Sequence, residues 1–200
     1  MSAGSGGAPL VRHGIETLSS QQPVNDLQLA LLGSLLQAAD RRRLPLWIGG
    51  GWAIDARLGR ITRPHDDLDL TFPGERRAEF EEMITELGGQ VGEETEYGFL
   101  AEVRGVLLDC EPAWWTGHAY EVTGAPHGTC PEQAEGRLGD LRLRCSSWEA
   151  VAWDYLYYED EVPVSQWPAK HHHSYALVRE ALGEKAMERL RVAFSAHRMP

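Results

Sequence analysis

The sequence predicts an α+β fold, in which helices pack on a mixed sheet and a C-terminal helical domain follows. Two observations lead to this prediction. Short apolar strand patterns alternate with helical patterns up to residue 145, whereas only helical spacing occurs from Ser146 onward. We therefore expect three regions: a flexible N-terminal arm over residues 1–23, an α/β domain over 24–145 and a helical domain over 146–200.

Charge limits the classes of partner. The 200 residues carry 19 Lys and Arg against 30 Asp and Glu, which gives a net charge of -11. This sign does not suit a protein that binds a nucleic-acid backbone over a large surface. A small or polycationic substrate fits it better, although an acidic surface also simply keeps a protein in solution.

Composition also limits the compartment. No run approaches the roughly 18 apolar residues of a membrane span. The Gly- and Ser-rich first residues lack the apolar stretch of a secretory signal. Three widely spaced cysteines form neither a disulfide framework nor a zinc-binding pair. We expect a cytoplasmic monomer that binds neither nucleic acid nor a membrane.

A helix, a short strand, a glycine turn and a second helix open the α/β domain. After Pro23, leucines at helical spacing predict a helix with Asn25 or Asp26 as its N-cap. Pro45 ends this helix, and the apolar run LWI predicts a short strand. The glycines at 49–51 then turn the chain into WAIDARLG, which resumes a helical pattern.

Further strands and one helix complete this domain. Residues 67–72 read as a strand, and the helix after them has an apolar face made by Phe80, Met83, Ile84 and Leu87. The segments YGFLAEV, VLLDCE and LRLRC predict three more strands, because each is short, apolar or alternating, and bounded by turn residues.

The C-terminal third is predicted to be helical. SSWEAVAWDYLYYEDE has a serine cap and then apolar or aromatic residues at i, i+3, i+4 and i+7 from Trp148. Two more helices are expected around 170–182 and 184–196. Aromatic residues at this spacing mostly form a core, but a tyrosine with a polar tip, such as Tyr157, is available to line a cleft.

Two of the predicted strands each present a pair of carboxylates on one face. Side chains alternate across a strand, so Asp67 and Asp69 share a face, as do Asp109 and Glu111. If the strands are neighbours, repulsion matters, because two unit charges about 4 Å apart cost roughly 4 kcal/mol at an effective dielectric near 20. Such a cluster needs protons or a cation, and Mg²⁺ is normally bound by oxygen ligands alongside substrate phosphates.

The glycine turn adds a candidate phosphate site. Its backbone can approach a ligand closely, and the N–H groups at the start of a helix favour an anion. A triple glycine alone is more often only a tight turn, and an isolated D-x-D pair is usually only solvated. Their combination within about twenty residues points to metal-assisted phosphate chemistry.

The order of a glycine turn, a helix, a D-x-D strand and a later Asp resembles the nucleotidyltransferase superfamily that includes polymerase β. Longer segments are similar to the aminoglycoside 2''-O-nucleotidyltransferases, among them LPLWIGGGWAIDARLGR, RPHDDLDLTFPGERR and LLDCEPAWW. The resemblance covers residues 43–194. It implies a nucleotidyltransferase-type mixed sheet and transfer of AMP from ATP to the 2''-hydroxyl of 4,6-disubstituted aminoglycosides (kanamycin, gentamicin, tobramycin), which confers antibiotic resistance.

The resemblance also implies roles for single residues. Asp67 and Asp69 match the D-x-D pair that binds two Mg²⁺ ions, and Asp109 matches the acid that binds the catalytic ion and acts as general base. Gly50 and Gly51 match the turn that holds the triphosphate. Two further nucleotide contacts are expected, each against an alternative structural or surface role, at His65 and Lys170.

Substrate recognition is predicted from charge. An aminoglycoside carries several ammonium groups, which carboxylates such as Glu111 and Asp154 can pair with. Glu111 shares a strand face with Asp109 and is therefore favoured, with Tyr157 as a further contact. Glu94 and Glu96 are equally well explained as solvated. The successive histidines 171–173 have no assigned role, because side chains about 100° apart on a helix cannot all reach one ion.

Two rival functions remain open on the sequence. The enzyme could modify another antibiotic, such as a lincosamide, or another hydroxyl of an aminoglycoside. Alternatively, the chain could be a non-catalytic, antitoxin-like module of the same shape. That second reading predicts that an acidic ligand has been lost, whereas Asp67, Asp69 and Asp109 are all present.

Overall fold

A long helix precedes the sheet. The computed structural model describes residues 18–198, with side chains from residue 24 onward. Helix α1 spans Leu18–Arg42, so residues 18–23 belong to a helix rather than to the predicted arm, whose remainder lies outside the described residues. Pro23 removes one backbone donor without ending this helix. The predicted N-cap is therefore wrong, since Asn25 lies inside the helix and instead bonds through its side chain to the backbone of Arg63 and His65.

Eight strands and two more helices follow in the α/β domain. Most predicted elements are confirmed, namely β1, β2, β4, β5, β8 and both helices. In chain order, the elements are β1 (Trp47–Ile48), α2 (Gly50–Leu58), β2 (Asp67–Pro73), α3 (Arg77–Glu86), β3 (Gly89–Glu94), β4 (Phe99–Val103), β5 (Val106–Trp115), β6 (Tyr120–Val122), β7 (Gly136–Leu138) and β8 (Leu141–Cys145). The sequence did not predict β3, β6 and β7. The side chains of β3 are almost all exposed, so no alternation marks it, and the other two strands have three residues each.

The C-terminal third is helical within the described residues, as predicted. It consists of α4 (Trp148–Glu161), α5 (Ala169–Leu182) and α6 (Glu184–Arg198). Ser147 caps α4, because its side chain accepts a hydrogen bond from the backbone N–H of Ala150 at 3.1 Å. Over residues 18–198, no helix is both long and apolar enough to cross a membrane.

The sheet is mixed, and its centre is built from strands that are distant in sequence. The strand order is β3-β4-β5-β2-β1-β8-β7, with β6 paired to β5. The pairs β2–β5 and β1–β8 are parallel, whereas the other pairs are antiparallel. Leu68 and Leu70 of β2 are buried on the helix-covered face together with Leu108 of β5. The alternating residues of both strands therefore point to the opposite face.

Aromatic packing fixes α3 against this sheet. Phe80 of α3 stacks on Phe72 of β2 with ring centroids 4.3 Å apart, and Phe99 of β4 meets the Phe72 ring edge-on at 5.7 Å. All three side chains are fully buried. Offset and edge-on aromatic pairs add about 0.5–1.5 kcal/mol each beyond area burial. This packing holds the back of β2 rigid.

Two leucines on adjacent strands test which face is buried. Replacing Leu68, which is fully buried, by Ala should lower the free energy of unfolding by about 2–5 kcal/mol, because a cavity remains in the core. The matched change Leu107→Ala, at a β5 position that is 41% exposed, should cost less than about 1 kcal/mol. Urea unfolding measures both, and equal losses would show that the assigned faces are wrong.

Candidate active site

The face of β2 and β5 that is not covered by helices lines a cleft, and the C-terminal helices form the opposite wall. The cleft has a volume of about 510 Å³ and is walled by both strands, the glycine turn, α4 and the start of α5. Carboxylates outnumber cationic side chains in its wall. Its charged lining consists of Arg63, Asp66, Asp67, Asp69, Asp109, Glu111, Asp154, Glu161 and Lys170.

The parallel pairing of β2 with β5 brings the predicted acidic residues together. In this register Asp69 lies opposite Asp109, and Thr71 lies opposite Glu111. Asp67 is on the same face, one alternation before Asp69. Within residues 18–198, no three His, Cys, Asp or Glu side chains form a ready-made metal site. The sequence thus predicted the face correctly, and the structure shows a cluster of oxygen donors without a closed ligand cage.

Burial and neighbouring charges raise the pKa values of these carboxyl groups. Burial, and then the charges of Asp67 and Asp109, raise the pKa of Asp69 to about 7. Burial and the charge of Asp109 likewise raise the pKa of Glu111 to about 7. The pKa of Asp109 itself is raised by lost hydration in the cleft and by the charge of Asp67. Each group therefore holds its proton more tightly than an exposed carboxyl does.

Asp154 of α4 closes the acidic cluster from the opposite wall. Its side chain opens to the cleft but is deep within it. Lost hydration, and then the charges of Glu111, Asp69 and Asp109, raise its pKa well above the usual range. Asp154 and Glu111 line the same cleft, and their joint role in substrate binding stays a prediction. Glu94 lies elsewhere and pairs with Arg77.

The glycine turn lies directly against the acidic pair. The N–H of Gly49 donates to the backbone carbonyl of Asp69 at 2.9 Å. Gly50 has φ +49, and a Cβ atom there would lie 1.9 Å from the Oδ2 atom of Asp69. A Cβ atom on Gly51 would lie 2.3 Å from the Nη2 atom of Arg63. Only glycine allows the start of α2 to approach Asp69 and Arg63 this closely.

His65 is buried beneath the glycine turn and is not part of the cleft wall. Its Nε2 atom is 2.7 Å from Oδ2 of Asp55, and its ring stacks on Trp52 at 4.3 Å. Gln28 of α1 donates to its backbone carbonyl at 3.2 Å. These contacts favour the alternative structural role that the sequence left open: His65 supports the turn from below.

Lys170 does line the cleft, and it joins the start of α5 to the loop before β2. Its Nζ atom lies 2.6 Å from Oδ2 of Asp66, and this hydrogen bond is the main cause of the lowered pKa of Asp66. Beside it, Nε of Arg63 donates to Oγ of Ser174 at 2.9 Å. We predicted no role for Arg63 from the sequence. Its position within RPHDD, next to the acidic pair, was the signal that could have identified it.

Aromatic side chains form the far wall of the cleft. Tyr157 lines the cleft as predicted, and so do Tyr97 on the β3–β4 turn and Tyr158 on α4. His171 also lies in this wall, with its ring 4.7 Å from that of Tyr158. We predicted no role for His171 from the sequence, because three successive histidines on a helix cannot bind one metal ion together.

Comparison with known proteins identifies the family. A sequence model described as aminoglycoside-2''-adenylyltransferase matches residues 31–196. This chain therefore belongs to the aminoglycoside-2''-adenylyltransferase family. It is 62% identical over 167 residues to a 2''-aminoglycoside nucleotidyltransferase of Klebsiella pneumoniae, a match that covers 84% of this chain and 94% of the relative.

Solved structures agree with this family assignment. The crystal structure of ANT(2'')-Ia in complex with adenylyl-2''-tobramycin superposes with a TM-score of 0.85 at 59% identity and covers 86% of this chain and 99% of that one. The lincomycin-bound lincosamide adenylyltransferase LnuA has a TM-score of 0.56 at 16% identity, over 74% of this chain and 94% of that one. This second likeness shows the shared nucleotidyltransferase fold alone.

Alanine substitutions at two glycines with positive φ distinguish the effect of backbone strain from the effect of a methyl group placed against Asp69. Gly50→Ala should lower adenylyltransferase activity by at least about 100-fold, because the new methyl group displaces Asp69. Gly59→Ala, with φ +69 and nothing within 4 Å of the new Cβ, should cost about 1–2 kcal/mol of stability and leave turnover intact. Turnover assays and urea unfolding test both changes, and equal activity in the two variants would contradict the assigned crowding.

The raised pKa values predict how stability depends on pH. Near pH 7 and below, folded Asp69 retains a proton that the unfolded chain releases near its ordinary pKa of 3.8. The folded state then binds more protons, so this group lowers the free energy of unfolding as pH rises from about 4 to 7. In metal-free buffer, Asp69→Asn should become progressively more stable than wild type over that range. Urea unfolding at several pH values measures this, and a constant difference would refute it.

Proposed function

We propose that this protein transfers AMP from ATP to the 2''-hydroxyl of a 4,6-disubstituted aminoglycoside and releases pyrophosphate. The observation that carries this proposal is the alignment of Asp69 with Asp109 across β2 and β5, facing the acidic wall of Asp154. Family membership supports the same reaction. The adenylylated tobramycin bound to ANT(2'')-Ia supports the class of acceptor and the position of transfer.

Glu111 and Asp154 suit a polycationic acceptor. Their pKa values are raised because burial and neighbouring carboxylates disfavour their ionised forms. An ammonium group bound between them replaces like-charge repulsion by attraction. An acceptor with fewer positive charges would leave part of this acidic wall uncompensated. This favours an aminoglycoside over a lincosamide as substrate.

Asp67, Asp69 and Asp109 have the oxygen donors that Mg²⁺ prefers, and we assign two ions to them. Mg²⁺ keeps several waters and usually takes only one or two carboxylates, with substrate phosphates completing its shell. The open arrangement of the three acids fits a site of this kind. When bound, such ions would neutralise the triphosphate and increase the acidity of the attacking hydroxyl.

Asp109 is the residue we assign as general base. It opens to the cleft, as required for contact with a substrate hydroxyl. The raised pKa of Asp109 makes its ionised form a stronger base than an exposed carboxylate. The hydroxyl would give its proton to Asp109 as it attacks the α-phosphorus. Direct attack requires no covalent AMP–enzyme intermediate.

The nucleotide would lie along the glycine turn. The first N–H groups of a helix have no intrahelical acceptor, so the start of α2 favours phosphate, and Gly50 and Gly51 let it approach. Arg63 and Lys170 are the cationic side chains in the cleft wall, so we assign the triphosphate contacts to them. In this arrangement, Lys170 would exchange its partner Asp66 for phosphate when ATP binds.

Replacing Asp109 tests the general base. Asp109→Asn should lower kcat by about 100- to 10,000-fold, since it removes the proton acceptor and one metal ligand. ATP binding should stay within a few-fold of wild type. Asp140→Asn, on the exposed β7–β8 turn, is the matched control and should retain full activity. Pyrophosphate release and the mass of the product, with MgATP and kanamycin, tobramycin, lincomycin or streptomycin, provide the readouts.

Two outcomes would contradict parts of this proposal. If kanamycin and tobramycin release no pyrophosphate and gain no AMP, the proposed substrate class is wrong. If Asp109→Asn retains its turnover, Asp109 is not the base. Product with lincomycin instead of tobramycin would establish the lincosamide alternative.

A further inference from the structure

Tyr157 is held on three sides in the cleft wall. Its ring packs edge-on against Phe194 of α6 at 4.9 Å, and the guanidinium of Arg198 lies 5.6 Å from its centre. Arg198 is in turn bonded to Asp160 at 2.7 Å. The hydroxyl group of Tyr157 lies 2.9 Å from Nε2 of His197. Both the ring and the hydroxyl of Tyr157 are therefore fixed by the last turns of α6.

His197 lies where three segments meet. It projects from the end of α6, and its ring lies 5.9 Å from the ring of Trp153 on α4. The loop after β6 approaches from the third side: a Cβ atom on Gly124 would lie 3.6 Å from Nε2 of His197 and 3.9 Å from the hydroxyl of Tyr157. Gly124 also lines the cleft. The Tyr157–His197 hydrogen bond is thus located at the cleft edge, between both domains.

We propose that His197 is a positioning residue for aminoglycoside binding. It accepts the hydrogen bond that the Tyr157 hydroxyl donates, so the hydroxyl oxygen can only accept hydrogen bonds from a ligand in the cleft. A tyrosine hydroxyl has one donor and two acceptor sites, whereas an ammonium group only donates. A freely rotating hydroxyl could direct its proton at the ammonium group. Nε2 of a neutral imidazole accepts that proton and fixes the orientation that a polycation requires.

This inference rests on the proposed placement of the aminoglycoside against Glu111 and Asp154, and on Tyr157 as the further substrate contact predicted from the sequence. The partners of this contact are Trp153, Phe194 and the Gly124 loop rather than Asp109 or the acidic pair, so it should act equally in the bound substrate and in the transition state. Uniform binding of this kind changes KM and leaves kcat nearly unchanged. A change that only loosened the fold would instead affect both substrates and kcat.

Two variants at position 197 separate hydrogen bonding from packing. His197→Phe keeps an aromatic ring against Trp153 and Tyr157 but cannot accept a hydrogen bond. It should raise KM for tobramycin about 3- to 10-fold, with kcat and KM for ATP within about twofold of wild type. His197→Gln, whose amide oxygen can accept from Tyr157, should restore most of the affinity. His197 is exposed, so both variants are expected to fold.

A double-mutant cycle tests whether His197 acts through Tyr157. Tyr157→Phe should raise KM for tobramycin at least as much as His197→Phe, and the double variant should be no worse than Tyr157→Phe alone. Additive effects, or an unchanged KM in His197→Phe, would overturn the positioning role while leaving the proposed reaction intact. An unchanged KM in Tyr157→Phe would overturn both this role and the proposed placement of the substrate on this wall.

Discussion

The parallel, in-register pairing of β2 with β5 is the constraint on which the rest of the structure depends. It puts Asp69 opposite Asp109 on one face and buries Leu68, Leu70 and Leu108 on the other. The apolar face stabilises the pairing, and the acidic face opposes it through like-charge repulsion. Burial, and then the charges of neighbouring carboxylates, raise the pKa values of Asp69 and Glu111. The buried core thus holds these carboxylates together despite their mutual repulsion.

The C-terminal helices supply the wall of the cleft that faces the sheet. Asp154 and Tyr157 of α4 form the wall opposite the strands, and Lys170 at the start of α5 brings a positive charge to the acidic loop. The contact of Arg63 with Ser174 ties the same loop to α5. One segment, residues 63–69, therefore carries Asp67 and Asp69, the cationic Arg63 and the contacts with α5.

Local patterns in the sequence predicted those features whose physical cause is local. The alternation of Asp67 and Asp69 with buried leucines predicted the acidic face of β2, and helical spacing predicted α3 and α4. The resemblance, rather than any pattern, suggested that β2 and β5 are neighbours. No local signal marks β3, whose side chains are mostly exposed, or the burial of His65 against Asp55 and Trp52. Those features depend on contacts between residues distant in sequence, as does the bond between Tyr157 and His197.

The number of bound metal ions tests most directly whether the paired strands β2 and β5 form a metal site. Mn²⁺ binding should be followed by electron paramagnetic resonance, with a non-hydrolysable ATP analogue and tobramycin present. We expect two Mn²⁺ ions bound per wild-type chain and fewer in Asp69→Asn, because the proposed metal site takes its ligands from both β2 and β5. If wild type and Asp69→Asn bind the same number of ions with the same affinity, the paired strands β2 and β5 do not form the metal site.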